Sequence, residues 1–185
     1  MLLTFNIIII GMKHSGKTTL GKRLAAECRV LFYDLDDMIE SLYAQDGERK
    51  TCREIFTGLG KDGFAALEAE AAGILAQKLA KPASSVAALG GGAAENRAAL
   101  ERLFGRGKFV YISEEASILY ERIMQRGIPP FLDPNDPRGS FEELMKRRTG
   151  IYTHIADITI PMCGAEHEEA FRIFKDRLEE AGYVR

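Results

Sequence analysis

Residues Gly11-Met12-Lys13-His14-Ser15-Gly16-Lys17-Thr18 satisfy G-x-x-x-x-G-K-[ST] and join two runs of opposite character. The run before them, Phe5 to Ile10, is apolar and β-branched, as a buried parallel strand should be, and Thr19 to Cys28 reads as a helix. A strand, a glycine loop and a helix in that order leave the chain few ways to fold. Gly11 and Gly16 let the backbone curl so that successive N–H groups point at one anion, and the helix adds its positive end. The loop is therefore read as phosphate-binding, with Lys17 reaching the β- and γ-phosphates and the Thr18 hydroxyl ligating Mg²⁺. Its expected nucleotide contacts are Gly11, Lys13, Ser15, Gly16, Lys17, Thr18 and Thr19.

The 185 residues fit a single domain, 1–185, long enough to bury a core without disulfides or metals. A net charge of −2 and a pI near 6.0 give no broad basic footprint for nucleic acid. Charged residues make up 28% with both signs interspersed, so disorder is not expected. Leu2 to Ile10 is too short to span a bilayer and lacks a basic n-region and a cleavage site, so neither a membrane segment nor a leader is expected. Cys28, Cys52 and Cys163 form no C-x-x-C pair and read as inert thiols of a reducing, cytoplasmic compartment. His14 falls at a variable loop position and reads as exposed, while His154 and His167 have no metal-ligand spacing. Nothing demands a partner protein, and a monomer is expected.

Further apolar strands are expected at Val86 to Leu89, Phe109 to Ile112 and Asp157 to Ile160, with a shorter one at Leu31 to Tyr33. Their alternation with helical stretches argues a parallel sheet with helices on both faces. Helices are expected at Ala65 to Lys81, Ser117 to Gln125, Phe141 to Arg148 and Glu168 to Ala181. The stretch Gly47 to Lys50 reads as a solvated turn. Gly127 to Gly139 carries four of the six prolines between two helices, a composition that marks a functional lid or a disordered excursion. The flanking Arg126 and Arg138 favour a lid, over about 126–139.

Asp34-Leu35-Asp36 follows the second strand, so two carboxylates can project side by side at the sheet's carboxyl edge, where open α/β sheets bind ligands. One could serve a Mg²⁺ shell while the other orients an attacking hydroxyl. Equally, Asp36 or Asp37 could cap a helix running through Tyr43. Gly90-Gly91-Gly92 follows the third strand, where residues without side chains allow a ligand close to the backbone, although a flexible turn explains three glycines as well. Phe56, Phe64 and Leu67 could wall a pocket or pack in the core.

Taken in order, strand-G-x-x-x-x-G-K-T, D-x-D, L-G-G-G, an arginine-flanked lid and Lys146-Arg147-Arg148-x-x-x-Tyr152 resemble the shikimate kinases, a group of small-metabolite kinases, from about Ile7 to Ile160. The resemblance implies a three-layer α/β/α P-loop kinase fold with a five-stranded parallel sheet, a substrate segment over about 34–68 and a mobile lid. It implies ATP as co-substrate with Mg²⁺ held at Thr18 and Asp34, and transfer to shikimate to give shikimate 3-phosphate in aromatic amino acid biosynthesis. Catalytic roles fall to Lys17 and Asp36; Asp36 meets the hydroxyl that is phosphorylated, Gly90, Gly91 and Gly92 line the substrate pocket, Arg148 grips the substrate carboxylate, and Arg122 lies over the adenine.

Two arginines of that pattern are missing. The family's F-R pairs with the shikimate carboxylate, whereas Phe64 here precedes Ala65; its lid reads R-P-L-L, whereas this chain has Pro129-Pro130-Phe131-Leu132. Losing one partner of a buried charge pair costs roughly 2–5 kcal/mol, and an arginine on the transferring phosphoryl group is worth on the order of 10³–10⁵ in rate. Either Arg126, Arg138, Arg53 or Lys61 compensates, or the acceptor is another polyol or sugar acid, or the chain binds nucleotide with weak or lost transfer. Shikimate leads because the other substrate-site elements remain.

Overall fold

Strand β1 (Ile7–Ile10) is apolar on both faces, and its four residues are 0–1% exposed. Such a strand fits only inside a sheet covered on both sides. The computed structural model, which describes residues 1–44, 49–125 and 127–185, shows that arrangement. After β1 come α1 (Lys17–Cys28), β2 (Leu31–Asp34), α2 (Leu35–Tyr43), α3 (Cys52–Leu79), β3 (Ser85–Ala88), α4 (Arg97–Leu103), β4 (Lys108–Ser113), α5 (Ala116–Met124), α6 (Pro137–Ile155), β5 (Ile158–Pro161) and α7 (His167–Glu180).

The five strands are parallel in the order β2-β3-β1-β4-β5, with Ile8 beside Ala87 of β3 and Phe109 of β4. Side-chain alternation divides the core in two. Ile7, Ile9, Val110 and Ile112 pack with Leu20 and Leu24 of α1 and Phe171 and Phe174 of α7. Ile8, Ile10, Phe109 and Tyr111 face α3, α4 and α6 through Leu75, Leu100 and Tyr152. The result is the three-layer α/β/α architecture expected. From β1 the chain crosses to β2, and from β3 it crosses the other way to β4, so the loops after β1 and β3 flank the crevice where strand order reverses. Open α/β sheets take ligands there.

Several boundaries differ from expectation, each for a local reason. β1 begins at Ile7 because Phe5 is 44% exposed and the Asn6 side chain turns aside, bonding Leu79 O, Arg106 O and Ser85 N. α3 begins 13 residues before Ala65, at Cys52, under a capping box in which Thr51 and Glu54 bond each other's backbone N–H. It is kinked at Gly60, whose φ of 70° and ψ of −176° are open to glycine. α4 was not expected; Asn96 caps it by accepting from Ala99 N. α6 starts at Pro137, behind the Asp136 cap, so the last three residues of the expected lid, Pro137, Arg138 and Gly139, are helical. Of the Gly47–Lys50 turn, Gly47 and Glu48 lie outside the described residues, as does Arg126.

Candidate active site

The glycine loop occupies the β1 end of the crevice. Gly11 has φ 146° and Gly16 φ 91°, and a Cβ on Gly11 would stand 2.6 Å from Ile112 O, so the curl needs glycine on both conformational and steric grounds. Within the curl, Ser15 N donates to Met12 O (3.2 Å), while the buried Ser15 hydroxyl has no partner. Lys17 is 8% exposed and its ammonium donates to Met12 O at 2.7 Å. Burial lowers its pKa to about 8 against the opposing pull of Asp36 and Asp34. A buried cation and an unpartnered buried hydroxyl inside a ring of backbone N–H groups form a cradle for phosphate oxygens.

Thr18 Oγ1 donates to Asp34 Oδ2 at 2.7 Å. Asp34 also caps α2, its Oδ1 accepting from Asp36 N at 3.0 Å. The capping role weighed for Asp36 or Asp37 therefore belongs to Asp34, which leaves Asp36 in the first turn with its carboxylate free of the cap. That carboxylate lies against Gly90, where an added Cβ would run into Oδ1. Lost hydration, reinforced by Asp34 and opposed by Lys17 and Lys13, raises the Asp36 pKa to about 6. Among the described residues no group of three or more His, Cys, Asp or Glu could hold a metal unaided. The Thr18–Asp34 pair of hard oxygens nevertheless suits Mg²⁺, which completes its shell with water and phosphate.

The three glycines are bounded on every side. A Cβ on Gly91 would stand 2.9 Å from Lys13 N, and one on Gly92 3.5 Å from Arg148 Nη2. Tyr152, four residues beyond Arg148 on α6, donates its hydroxyl to Gly91 O at 2.6 Å. The triglycine is thus wedged between the phosphate loop, Asp36 and Arg148.

Arg148 is 11% exposed and is held by Glu95, its Nε and Nη2 each 2.8 Å from Oε2, with Arg147 on the other oxygen at 2.6 Å. Its guanidinium also lies 6.0 Å from the Phe131 ring of the segment before α6. Arg122 donates to His14 O, Glu114 and Glu166, all at 3.4 Å, which puts it on the outer edge of the phosphate loop. Buried Glu114 fastens that edge by accepting from Gly164 N at 3.0 Å.

Two of the candidate compensating cations, Arg53 and Arg138, have partners of their own. Arg53 donates to Ile128 O (3.2 Å), and Arg138 pairs with Glu142 (3.1 Å). Phe56 and Phe64 stack edge to face at 5.6 Å beside Ala65, and Phe64 and Leu67 pack on the core. One group went unnoticed in the sequence: Glu68, 4% exposed, bonded by Asn96 Nδ2 at 2.9 Å, its pKa raised to about 7 chiefly by burial. Its signal was present, since it shares a helical face with Ala71, Ala72 and Leu75.

A shikimate kinase family model matches residues 13–179. The chain belongs to the shikimate kinase family. Shikimate kinase of Francisella tularensis subsp. novicida is 35% identical over 165 residues, 89% of each chain. That of Chlamydia pneumoniae is 32% identical over 175 residues, 95% of this chain and 93% of the other. In three dimensions, shikimate kinase from Acinetobacter baumannii in complex with shikimate superposes with a TM-score of 0.80 at 27% identity, covering 97% of this chain and 93% of that one. As a shikimate kinase family member, the chain is an ATP-dependent phosphotransferase acting on a hydroxyl group. No helix among the described residues is long and apolar enough to cross a membrane.

Proposed function

We propose that this chain, acting as a single domain, transfers the γ-phosphoryl group of ATP to shikimate, giving shikimate 3-phosphate for aromatic amino acid biosynthesis. The observation that carries the reading is the meeting of Lys17, Asp36 and the Gly90–Gly92 turn in one crevice with Arg148 behind it.

In this reading the loop amides, the Ser15 hydroxyl and Lys17 hold the phosphates, Lys17 leaving the Met12 carbonyl for a phosphate oxygen. Thr18 and Asp34 hold Mg²⁺, which neutralises phosphate charge when bound. Asp36 accepts the hydrogen bond of the attacking hydroxyl and takes its proton as the new P–O bond forms; the bond to ADP breaks and its electron pair leaves with ADP. Gly90 to Gly92 let the acceptor approach, and Arg148 meets its carboxylate. Arg122, which donates to His14 O at the loop edge, lies over the adenine. The segment over about 126–139 serves as the lid, and Phe131 within it lies 6.0 Å from the Arg148 guanidinium.

The test is ADP release measured with shikimate, with gluconate-like acids and with no acceptor. Saturable release with shikimate alone supports the reading; release with another acid moves the substrate, and nucleotide binding without any acceptor response removes the kinase reading.

A further inference from the structure

Helix α6 grips the triglycine turn at two points. The carbonyls at the ends of the turn are bonded locally, Gly90 O accepting from Ala93 N at 3.1 Å and Gly92 O from Glu95 N at 2.9 Å. Between them, Gly91 O accepts from the Tyr152 hydroxyl of α6 at 2.6 Å. The second grip is Glu95, whose carboxylate holds Arg147 and Arg148 of the same helix. On its other side the turn backs onto the phosphate loop, where a Cβ on Gly91 would stand 2.9 Å from Lys13 N. Tyr152 also reaches that loop. Its hydroxyl lies 3.9 Å from Met12 Sδ, and Met12 O is the atom that holds the Lys17 ammonium at 2.7 Å.

Tyr152 is 0% exposed and its ring packs on Tyr111 of β4, with centroids 4.9 Å apart and planes at 33°. Tyr111 stands in register beside Ile10, the residue before Gly11. A circuit therefore closes: from the end of β1 through Met12 and Lys13 to Gly91, from Gly91 to Tyr152, and through Tyr111 back to β1. The two buried phenols differ in one respect. The Tyr152 hydroxyl gives its proton to Gly91 O, whereas the Tyr111 hydroxyl is buried with no partner.

Phosphoryl transfer needs the acceptor oxygen in line with the γ-phosphorus, and a displacement of about 1 Å can cost on the order of 10²-fold in rate. We propose that Tyr152 is a positioning residue for the transfer: by holding Gly91 O against the phosphate loop, it fixes the floor under the acceptor relative to the γ-phosphate. It acts through the turn, its one proton being taken by Gly91 O. This inference rests on the kinase reading above.

Tyr152→Phe deletes the hydroxyl and keeps the ring on Tyr111. With active sites counted by titration with a non-hydrolysable ATP analogue, kcat per site for shikimate-dependent ADP release should fall by at least about tenfold, while KM for ATP and for shikimate stay within about twofold of native. Tyr111→Phe, which deletes the unpartnered hydroxyl from the same pair of rings, should leave kcat unchanged. A fall in kcat per site under about tenfold in Tyr152→Phe, an equal fall in Tyr111→Phe, or a loss that appears in either KM with kcat kept overturns the role of Tyr152 and leaves the kinase reading standing. No shikimate-dependent release by the native enzyme removes the kinase reading and this inference with it. Should Tyr152→Phe fail to fold, proton NMR of the native enzyme with the same analogue and shikimate bound decides: the Tyr152 hydroxyl proton is expected in slow exchange with water, and rapid exchange in that complex overturns the proposal.

Discussion

At the residue scale, the phosphate loop and the carboxylates beside it divide the work. Lys17→Ala removes the one buried cation of the cradle and is expected to lower turnover by at least about 10²–10³-fold, the cost typical of losing one preorganised charge-stabilising group. Asp36→Asn leaves the cradle whole, so nucleotide affinity by calorimetry should hold while turnover falls by about 10²–10⁴-fold. Equal losses of nucleotide affinity in the two variants would contradict that division. Ala65→Arg restores a guanidinium at the position where the family's F-R arginine pairs with the acceptor carboxylate, three residues from the buried Glu68. Shikimate KM is expected to drop by about thirty-fold or more; an unchanged KM would show that the side chain at position 65 does not face the acceptor. The loop, the D-x-D pair and the triglycine were legible in the sequence because their chemistry needs fixed residue types at fixed spacing. The cap of α2 was not: Asp36 or Asp37 was expected to be able to fill it, and the bond from Asp36 N to Asp34 Oδ1 gives it to Asp34.

At the scale of elements, apolar runs located all five strands to within a few residues; β1 and β3 are buried throughout and β4 over four of its six residues, whereas β2, with Leu31 61% exposed and none of its residues buried, reads only as a short run. α3 was harder. Gly58, Gly60 and Gly63 argue against a helix by propensity, yet the Thr51–Glu54 capping box starts one and packing carries it through the kink. The burial of α3 is what fixes Glu68 and Ala65 at the crevice. Leu75→Ala, at a position 0% exposed, is expected to cost about 2–5 kcal/mol in denaturant unfolding; a loss well under that range would show that α3 is not anchored by this stripe. Gly90→Ala acts differently: its methyl displaces the Asp36 carboxylate, so turnover should collapse with a melting temperature close to that of the native chain. α4 escaped notice because seven residues hold too little periodicity to read, although its Asn96 cap also ties α3 through Ala65 O and Glu68.

For the whole molecule, the buried carboxyl of Glu68 links folding to pH. In the folded chain it keeps its proton up to about 7, whereas unfolded it releases that proton near 4.5. Between those values the native state binds more protons, so stability falls as pH rises from about 4.5 to 7 and stays lower above, by about 3 kcal/mol for this group. Glu68→Gln should flatten that slope in urea titrations at pH 5 and pH 8 and raise the midpoint at pH 8; a native chain whose midpoint rises over the same range would contradict the burial of a carboxyl with no cation bonded to it. The central claim is that this crevice still phosphorylates shikimate with Arg148 as its acceptor-side guanidinium. The most direct measurement is ADP release at pH 6.5 with ATP and Mg²⁺, with and without shikimate. The account predicts saturable release that requires shikimate and disappears in Arg148→Ala at the same acceptor concentration; ATP binding with identical ADP release in the presence and absence of shikimate would contradict it.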